Sequence, residues 1–151
     1  MGAFVSRPLL ADDLPTIDGW FDDPETVRWL GGRDWPRTLL RLADEPGRSA
    51  LLFVHLDEPV ALLDVDRDGA SAAIAVVVAP TRRGEGVARS ILQSIFSLAA
   101  TREVVRVVAE IEEGNTASEG LLRAARFELE GVTQEGFARY VLRRSAAVEP
   151  S

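Results

Sequence analysis

The chain has 151 residues, 46% of them hydrophobic, and a net charge of −7 from 17 basic and 24 acidic side chains. This length and hydrophobic content suit a single domain with its own core. The acidic balance argues against general nucleic-acid binding, which relies on basic patches. All the basic residues are arginines and there is no cysteine, so lysine chemistry, disulfides and thiol nucleophiles are excluded.

Metal binding and membrane association are also not expected. The single histidine, His55, cannot form a histidine cluster, and we predict no metal site. No apolar run approaches the roughly 18 residues that span a bilayer. The N-terminus lacks the charged and apolar segments of a signal peptide. We therefore expect a cytoplasmic protein, monomeric or homodimeric, without nucleic-acid or membrane partners.

The N-terminal part of the chain reads as one strand followed by helices. A strand is predicted over residues 3–10. Three helical segments follow, each with a polar, proline or glycine boundary signal. These signals are Asp12 or Asp13 with Pro15 for the first helix, Pro24 and Gly31-Gly32 for the second, and Pro46-Gly47 after the third, which begins at Trp35.

The remainder alternates between strand and helix patterns. Strands are predicted at 49–56, 60–66 and 72–79, the last two joined by a hairpin turn at Asp68-Gly69. A long helix to about residue 100, a strand at 104–111, a helix with a Thr116/Glu119 capping box and a closing hairpin (127–132 and 136–143) follow. The predicted order is β-ααα-βββ-α-β-α-ββ. It forms a single α/β domain over residues 1–145, with helices on the sheet faces and a frayed tail over 146–151.

A glycine- and arginine-rich loop stands between the strand that ends at Pro80 and the following helix. The helix start leaves backbone N–H groups free for an anion, and Gly84 and Gly86 allow close approach. A Walker A motif needs a lysine that is absent, and a dinucleotide motif needs a glycine where Arg89 stands. The pattern indicates a site for a phosphorylated cofactor.

The loop sequence Arg83-Gly-Glu-Gly86-Val-Ala88 resembles the Arg-x-x-Gly-x-Gly/Ala motif of the GNAT family of N-acetyltransferases. Asn115-Thr-Ala-Ser118 and Arg126-Phe127 stand at the family's spacing, and the order of elements also agrees. The resemblance implies a mixed, mostly antiparallel GNAT-like sheet and acetyl-CoA as co-substrate, with its pyrophosphate on this loop.

The resemblance also implies which residues contact acetyl-CoA. The pantetheine arm would lie along the strand before the loop and reach the start of the helix at Asn115. The implied cofactor-binding residues are Val76, Val77, Val78, Arg83, Gly84, Glu85, Gly86, Val87, Ala88, Asn115 and Ser118. The valine side chains are equally consistent with a core strand, and Asn115 with an ordinary turn or helix cap.

The transfer reaction needs a group that accepts the proton of the attacking amine. Candidates for this base are Asp64 on the preceding strand and Glu110 or Glu112 at the end of the following strand, each of which is also consistent with a surface charge. The family's usual acid is a tyrosine seven residues after the asparagine, where this chain has Leu122. Tyr140 or Ser118 could substitute for it, although a structural role is also consistent with either residue.

The acceptor side is predicted from the N-terminal helices, where Trp20 and Trp29 stand among acidic residues. These helices resemble those of the GNAT branch that acetylates ribosomal-protein N-termini and aminoglycosides. Acid beside aromatic surface suits a cationic amine, while an amphipathic helix pair that buries its tryptophans is the alternative. The prediction is an N-acetyltransferase for a primary amine on a small polar molecule or a peptide N-terminus. The rival is a non-catalytic acyl-CoA-binding or regulatory module.

Overall fold

The computed structural model describes residues 4–30, 32 and 34–145, without the side chains of Trp29 and Leu30. In this part of the chain, seven strands form one sheet in the order β1-β2-β3-β4-β5-β7-β6. Adjacent strands are antiparallel except for the parallel pair β4 and β5. The strands are β1 Val5–Pro8, β2 Arg48–His55, β3 Glu58–Asp68, β4 Ser71–Val78, β5 Arg106–Glu112, β6 Glu128–Val132 and β7 Phe137–Arg143.

Five α-helices flank the sheet, which confirms the predicted order β-ααα-βββ-α-β-α-ββ. None of the helices in the described ranges has the length and apolar character to cross a membrane. The tail predicted over residues 146–151 lies outside the described residues. The helices are α1 Leu14–Trp20, α2 Pro24–Leu30, α3 Asp34–Leu42, α4 Val87–Gln93 and α5 Thr116–Ala124.

Helix α4 is shorter than the apolar spacing predicted. It ends at Gln93 and is followed by short 3₁₀ turns at Ile95–Ser97 and Ala99–Thr101. The Ser94 hydroxyl donates to the Ser90 carbonyl at 2.6 Å, competing with the continuation of the helix. The prediction of a helix to about residue 100 was therefore wrong, although four of the apolar side chains that suggested it, Val87, Ile91, Leu92 and Ile95, are buried.

Two hydrophobic clusters cover opposite faces of the sheet, because side chains alternate along each strand. Helices α4 and α5 pack on the first face, against strand residues such as Leu63, Val107 and Tyr140. Helices α1 and α3 pack on the other face, against Leu52 and Leu62. The position of a residue along its strand therefore determines which pair of helices its side chain packs against.

Gly47 begins the β2–β3 ladder in a conformation that side chains rarely adopt, with φ at +81°. Its carbonyl accepts a hydrogen bond from the Arg67 N–H at 2.7 Å. A Cβ at this position would clash with the Arg67 carbonyl oxygen. Gly69, in the turn between β3 and β4, also has positive φ (+64°), but no heavy atom lies within 4 Å of its hypothetical Cβ.

We expect Gly47→Ala to lower the free energy of unfolding by about twice as much as Gly69→Ala. The left-handed conformation alone costs about 1–2 kcal/mol for alanine, and only Gly47 adds a backbone clash. Urea denaturation of the two variants measures the difference. Equal losses would show that the Gly47 backbone relaxes away from Arg67.

Candidate functional site

The sheet opens between its two parallel strands. β4 and β5 pair only from Ser71↔Arg106 to Ile74↔Ala109. Beyond this point β4 stays on β3 and β5 stays on β7 to their last residues. Residues 75–78 of β4 and 110–112 of β5 therefore diverge, and the gap between them is called the wedge below.

The backbone of β4 offers hydrogen-bonding groups to the wedge. The Ala79 N–H donates to the Val60 carbonyl at 2.9 Å, which directs this residue toward β3. Backbone direction alternates along an antiparallel strand, so Val77 also faces β3. Val76 and Val78 then direct their N–H and C=O groups toward β5, which has already separated. An extended ligand with amide groups can pair with this edge.

The wedge leads into a cleft of about 790 Å³. Its walls come from β4, the loop before α4, β5, α5 and the start of α2. Of the eleven predicted cofactor-binding residues, all but Glu85 line it: Val76, Val77, Val78, Arg83, Gly84, Gly86, Val87, Ala88, Asn115 and Ser118. The Glu85 carboxylate instead pairs with Arg82 Nε at 3.0 Å within the loop.

The loop before α4 depends on two glycines with positive φ, Gly84 at +79° and Gly86 at +81°. Gly86 is the N-cap of α4, and its carbonyl accepts from the Ser90 N–H at 3.0 Å, which closes the first turn. The amides of the first turn that precede Ser90 have no acceptor within the helix. They can donate to an anion in the cleft.

Arg83 connects this loop to helix α2. Its guanidinium lies 2.8 Å from Asp23 Oδ2 through Nη1 and donates to Thr26 Oγ1 at 2.6 Å through Nη2. The Thr26 N–H also donates to Asp23 Oδ2 at 3.0 Å, so Asp23 caps the helix as well. This amide, and then Arg83, hold the pKa of Asp23 below its usual value. Part of the positive charge of the loop is therefore already paired.

Asn115 caps α5, since its Oδ1 accepts from the Ser118 N–H at 3.3 Å. The predicted Thr116/Glu119 capping box was wrong, because the Glu119 carboxylate instead accepts from the Tyr140 hydroxyl at 2.8 Å. Capping uses only the oxygen of the Asn115 amide. Its nitrogen remains a donor for the cleft that this residue lines.

Among the predicted proton-transfer residues, Glu110, Glu112 and Ser118 line the cleft, whereas Asp64 and Tyr140 do not. Glu110 stands nearest to the paired part of the sheet. It follows Ala109, the last β5 residue that pairs with β4, and so stands where the wedge begins. Its side chain points to the face opposite Ala109, which is the face covered by the N-terminal helices over β2–β4. This position suits a carboxylate that contacts a substrate on the side of the N-terminal helices.

The structure does not bring Asp64 or Tyr140 to the cleft lining. The Asp64 carboxylate is 18% exposed and lies 3.1 Å from Arg48 Nη2. Burial raises its pKa, which the Arg48 charge partly offsets. Tyr140 is fully buried in the cluster under α5, and burial followed by its bond to Glu119 raises the pKa of its hydroxyl. Leu122, at the family's tyrosine position, is 4% exposed and lines the cleft.

The packing leaves Trp20 little surface to offer a substrate, because it is 6% exposed and belongs to the core beneath α1 and α3. The side chain of Trp29 lies outside the described residues. The cleft lining includes Glu25, one of the acidic residues among which the two tryptophans stand. It also includes Thr26 of α2 and Phe137 of β7, which sequence reasoning did not select. The helix start at Asp23-Pro24 was the only signal for Thr26.

No group of three or more His, Asp or Glu side chains among residues 4–30, 32 and 34–145 could hold a metal ion. The site combines an exposed strand edge, free amides, arginines and the carboxylates of Glu110 and Glu112 at the wedge. Such a site can bind an extended amide chain with a phosphate at one end. It can also accept a proton at the other end.

Comparison with known proteins identifies this arrangement. The sequence matches the acetyltransferase (GNAT) domain family over residues 4–128. The structure is similar to aminoglycoside acetyltransferase AAC(6')-Ib in complex with coenzyme A, with 19% identity and a TM-score of 0.78 over 94% of this chain and 95% of that one. No curated protein matches the sequence.

Two other solved structures are similar over more than nine tenths of each chain. RimL, a ribosomal L7/L12 alpha-N-protein acetyltransferase, has 16% identity and a TM-score of 0.81 over 95% of this chain and 92% of its own. A chimera of the spermidine N-acetyltransferase SpeG, from Vibrio cholerae and hSSAT, has 16% identity and a TM-score of 0.77 over 94% and 96%. At these identities the structural similarity establishes the fold alone.

We expect Tyr140→Phe to lower the free energy of unfolding by about 1–2 kcal/mol at pH 7, because the hydroxyl donates to Glu119 at 2.8 Å and accepts from Arg123 at 3.3 Å. Because the folded-state pKa of Tyr140 is raised, its contribution is complete below the unfolded pKa near 10 and is lost at higher pH. The gap between wild type and variant, measured by urea denaturation, should narrow above about pH 10.

The chain is suited to this measurement, since it has one tyrosine, no lysine and no cysteine. Tyr140→Phe itself should show little change in stability between about pH 9 and 11, where no other side chain titrates. A gap that stays constant over this range would contradict the structural role given to the hydroxyl.

Proposed function

The chain belongs to the GNAT acetyltransferase family, and from that premise we propose that it transfers the acetyl group of acetyl-CoA to a primary amine. The observation that carries the proposal is the wedge. It joins a strand edge with free amides, an anion-binding loop and a carboxylate in one cleft. These are the three groups that an acyl-CoA and an attacking amine require.

The residues present fit coenzyme A as the source of the acetyl group. Val76 and Val78 would pair with the amides of the pantetheine arm, as an added strand pairs with a sheet edge. The turn from Gly84 to Ala88 would hold the pyrophosphate with backbone N–H groups, and Asn115 would donate from the opposite wall. Bound acetyl-CoA supplies an acyl carbon that an amine can attack, with a thiolate as leaving group.

The chain's own contribution to the reaction is proton transfer and charge stabilisation. Glu110 would accept the proton that the amine loses, directly or through water. A β4 backbone N–H facing the wedge would stabilise the negative oxygen that develops on the acyl group. A thiol with a pKa of about 8.5 leaves readily as thiolate, so Leu122 in the tyrosine position does not prevent turnover.

The acceptor class follows from charge. Glu25, Glu110 and Glu112 line the cleft, and the whole chain is acidic. This field attracts a cationic amine. The similar structures include proteins named as aminoglycoside, alpha-N-protein and spermidine acetyltransferases. The substrates in these names all carry amines. A small polar amine or a peptide N-terminus is therefore proposed.

The test is thiol release from acetyl-CoA with kanamycin, spermidine and a peptide with a free N-terminus. We expect release with at least one amine. Glu110→Gln should lower kcat at least 100-fold, the lower range for a lost general base. Its affinity for coenzyme A, measured by calorimetry, should stay within about twofold, because the change leaves the loop and β4 intact. Glu130→Gln, a carboxylate outside the cleft, is the control.

Leu122 supports one competing function, a module that binds acyl-CoA without catalysis. Among the described residues no tyrosine lines the cleft, so the family's usual acid has no counterpart there. Coenzyme A binding together with no thiol release for any amine would favour this module. Release that is unaffected by Glu110→Gln would retain the enzyme and remove Glu110 as the base.

Asp23→Asn should strengthen coenzyme A binding about threefold to tenfold. Asparagine keeps the helix cap to the Thr26 N–H but removes the charge that now pairs with Arg83. Arg83 can then pair fully with the pyrophosphate. The repulsion between the Asp23 carboxylate and the negatively charged pyrophosphate is also lost. Calorimetric titration with coenzyme A measures the change.

Asp18→Asn is the matched control. It removes a two-bond ion pair to Arg37, at 2.7 Å for each bond, within the N-terminal helices and outside the cleft lining. It should leave coenzyme A affinity unchanged. Weaker binding by Asp23→Asn would mean that Asp23 holds Arg83 in its binding position and does not compete with the phosphate.

A further inference from the structure

Glu110 has a single charged partner across the β5–β7 ladder. The two strands place Glu110 directly opposite Arg139, and directly opposed residues share a sheet face. Arg139 Nε donates to Glu110 Oε2 at 2.7 Å, and Nη2 lies 2.6 Å from the same oxygen. The hydrogen bond and the close Nη2 contact both involve Oε2, and neither involves Oε1.

We propose that Arg139 is a positioning residue that holds Glu110 for the acceptor amine. This rests on the proposed function, in which Glu110 accepts the proton. A glutamate on a strand has several rotamers, and only some place its carboxylate at the wedge. The Nε hydrogen bond and the adjacent Nη2 charge on Oε2 select one orientation and leave Oε1 for the amine or a bridging water. Such orientation is a recognised source of rate.

The ion pair is poorly placed to serve stability alone. The Arg139 and Glu110 side chains are 44% and 38% exposed. Exposed pairs of this kind contribute at most about 1 kcal/mol. The β5–β7 ladder already pairs from Arg106↔Arg143 to Glu112↔Phe137 without needing this side-chain contact. The carboxylate of this pair, however, lines the cleft.

The same strand provides a matched comparison. Arg143 lies four residues after Arg139, so its side chain is on the same face of β7. It pairs with Glu130 of β6 at 3.7 Å, and Glu130 is outside the cleft lining. Arg139→Gln and Arg143→Gln therefore remove the same charge from the same strand and face. Only the first removes a contact to the wedge.

The experiment compares steady-state kinetics of wild type, Arg139→Gln, Arg139→Lys and Arg143→Gln. The substrates are acetyl-CoA and whichever of kanamycin, spermidine or the free peptide the wild type acetylates fastest. We expect Arg139→Gln to lower kcat/KM for the amine about tenfold or more, with KM for acetyl-CoA within about twofold. Lysine keeps the charge but lacks the planar guanidinium whose Nε makes the hydrogen bond to Glu110, so Arg139→Lys should recover only part of the loss.

Arg143→Gln should match wild type in every parameter. Wild-type rates for Arg139→Gln, or faster ones, would overturn the positioning role while leaving the acetyltransferase proposal intact. An equal fall for Arg139→Gln and Arg143→Gln would also overturn it, because a shared effect of lost charge would then explain both. Wild-type protein that releases no thiol with any of these amines would refute the proposed function and this inference together.

Discussion

The site depends on one constraint, the point at which β4 and β5 stop pairing. Each strand is held along its outer edge by an antiparallel neighbour, β3 for β4 and β7 for β5. After Ile74 and Ala109 the two halves of the sheet follow their own neighbours and diverge. The inner edges then carry backbone groups without strand partners. Such groups are costly if buried and unsatisfied, so they must face water or a ligand.

That divergence also sorts the candidate catalytic residues, which look alike in the sequence. Glu110 is the first β5 residue past the last pair, on the face that α4 and α5 do not cover. The Asp64 side chain lies on the same sheet face but on β3, where its carboxylate forms an ion pair with Arg48 of the neighbouring β2. Tyr140 has the opposite face and is buried against α5. Strand register and face therefore leave Glu110, with Glu112 two residues further on, at the cleft and keep Asp64 and Tyr140 away from it.

Much of the fold and part of the site could be predicted because their signals are local. Pro80, Gly84 and Gly86 mark the loop within seven residues, and apolar runs mark the strands. The missed features come from contacts distant in sequence. Arg83 donates a hydrogen bond to Thr26, 57 residues earlier in the chain. Glu119 accepts one from Tyr140, 21 residues later, in place of capping its own helix. Trp20 is buried because helices α1 and α3 pack together on the sheet, which no local pattern states.

The charges around the loop show which groups carry anion recognition. Arg82 pairs with Glu85 at 3.0 Å and lies 3.8 Å from Glu58, while Arg83 pairs with Asp23. Both arginines are thus partly neutralised in a chain whose net charge is −7. Helix α4 has seven residues, so its dipole adds only a local field at the first turn. The backbone amides at Gly84 to Ala88 have no competing partner within the helix, because the N–H groups of a first turn have no intrahelical acceptor. In the proposed acetyl-CoA site, recognition of phosphate by this loop would therefore rest first on backbone geometry set by two glycines. The arginines contribute to the extent that an incoming anion displaces the carboxylates they already hold.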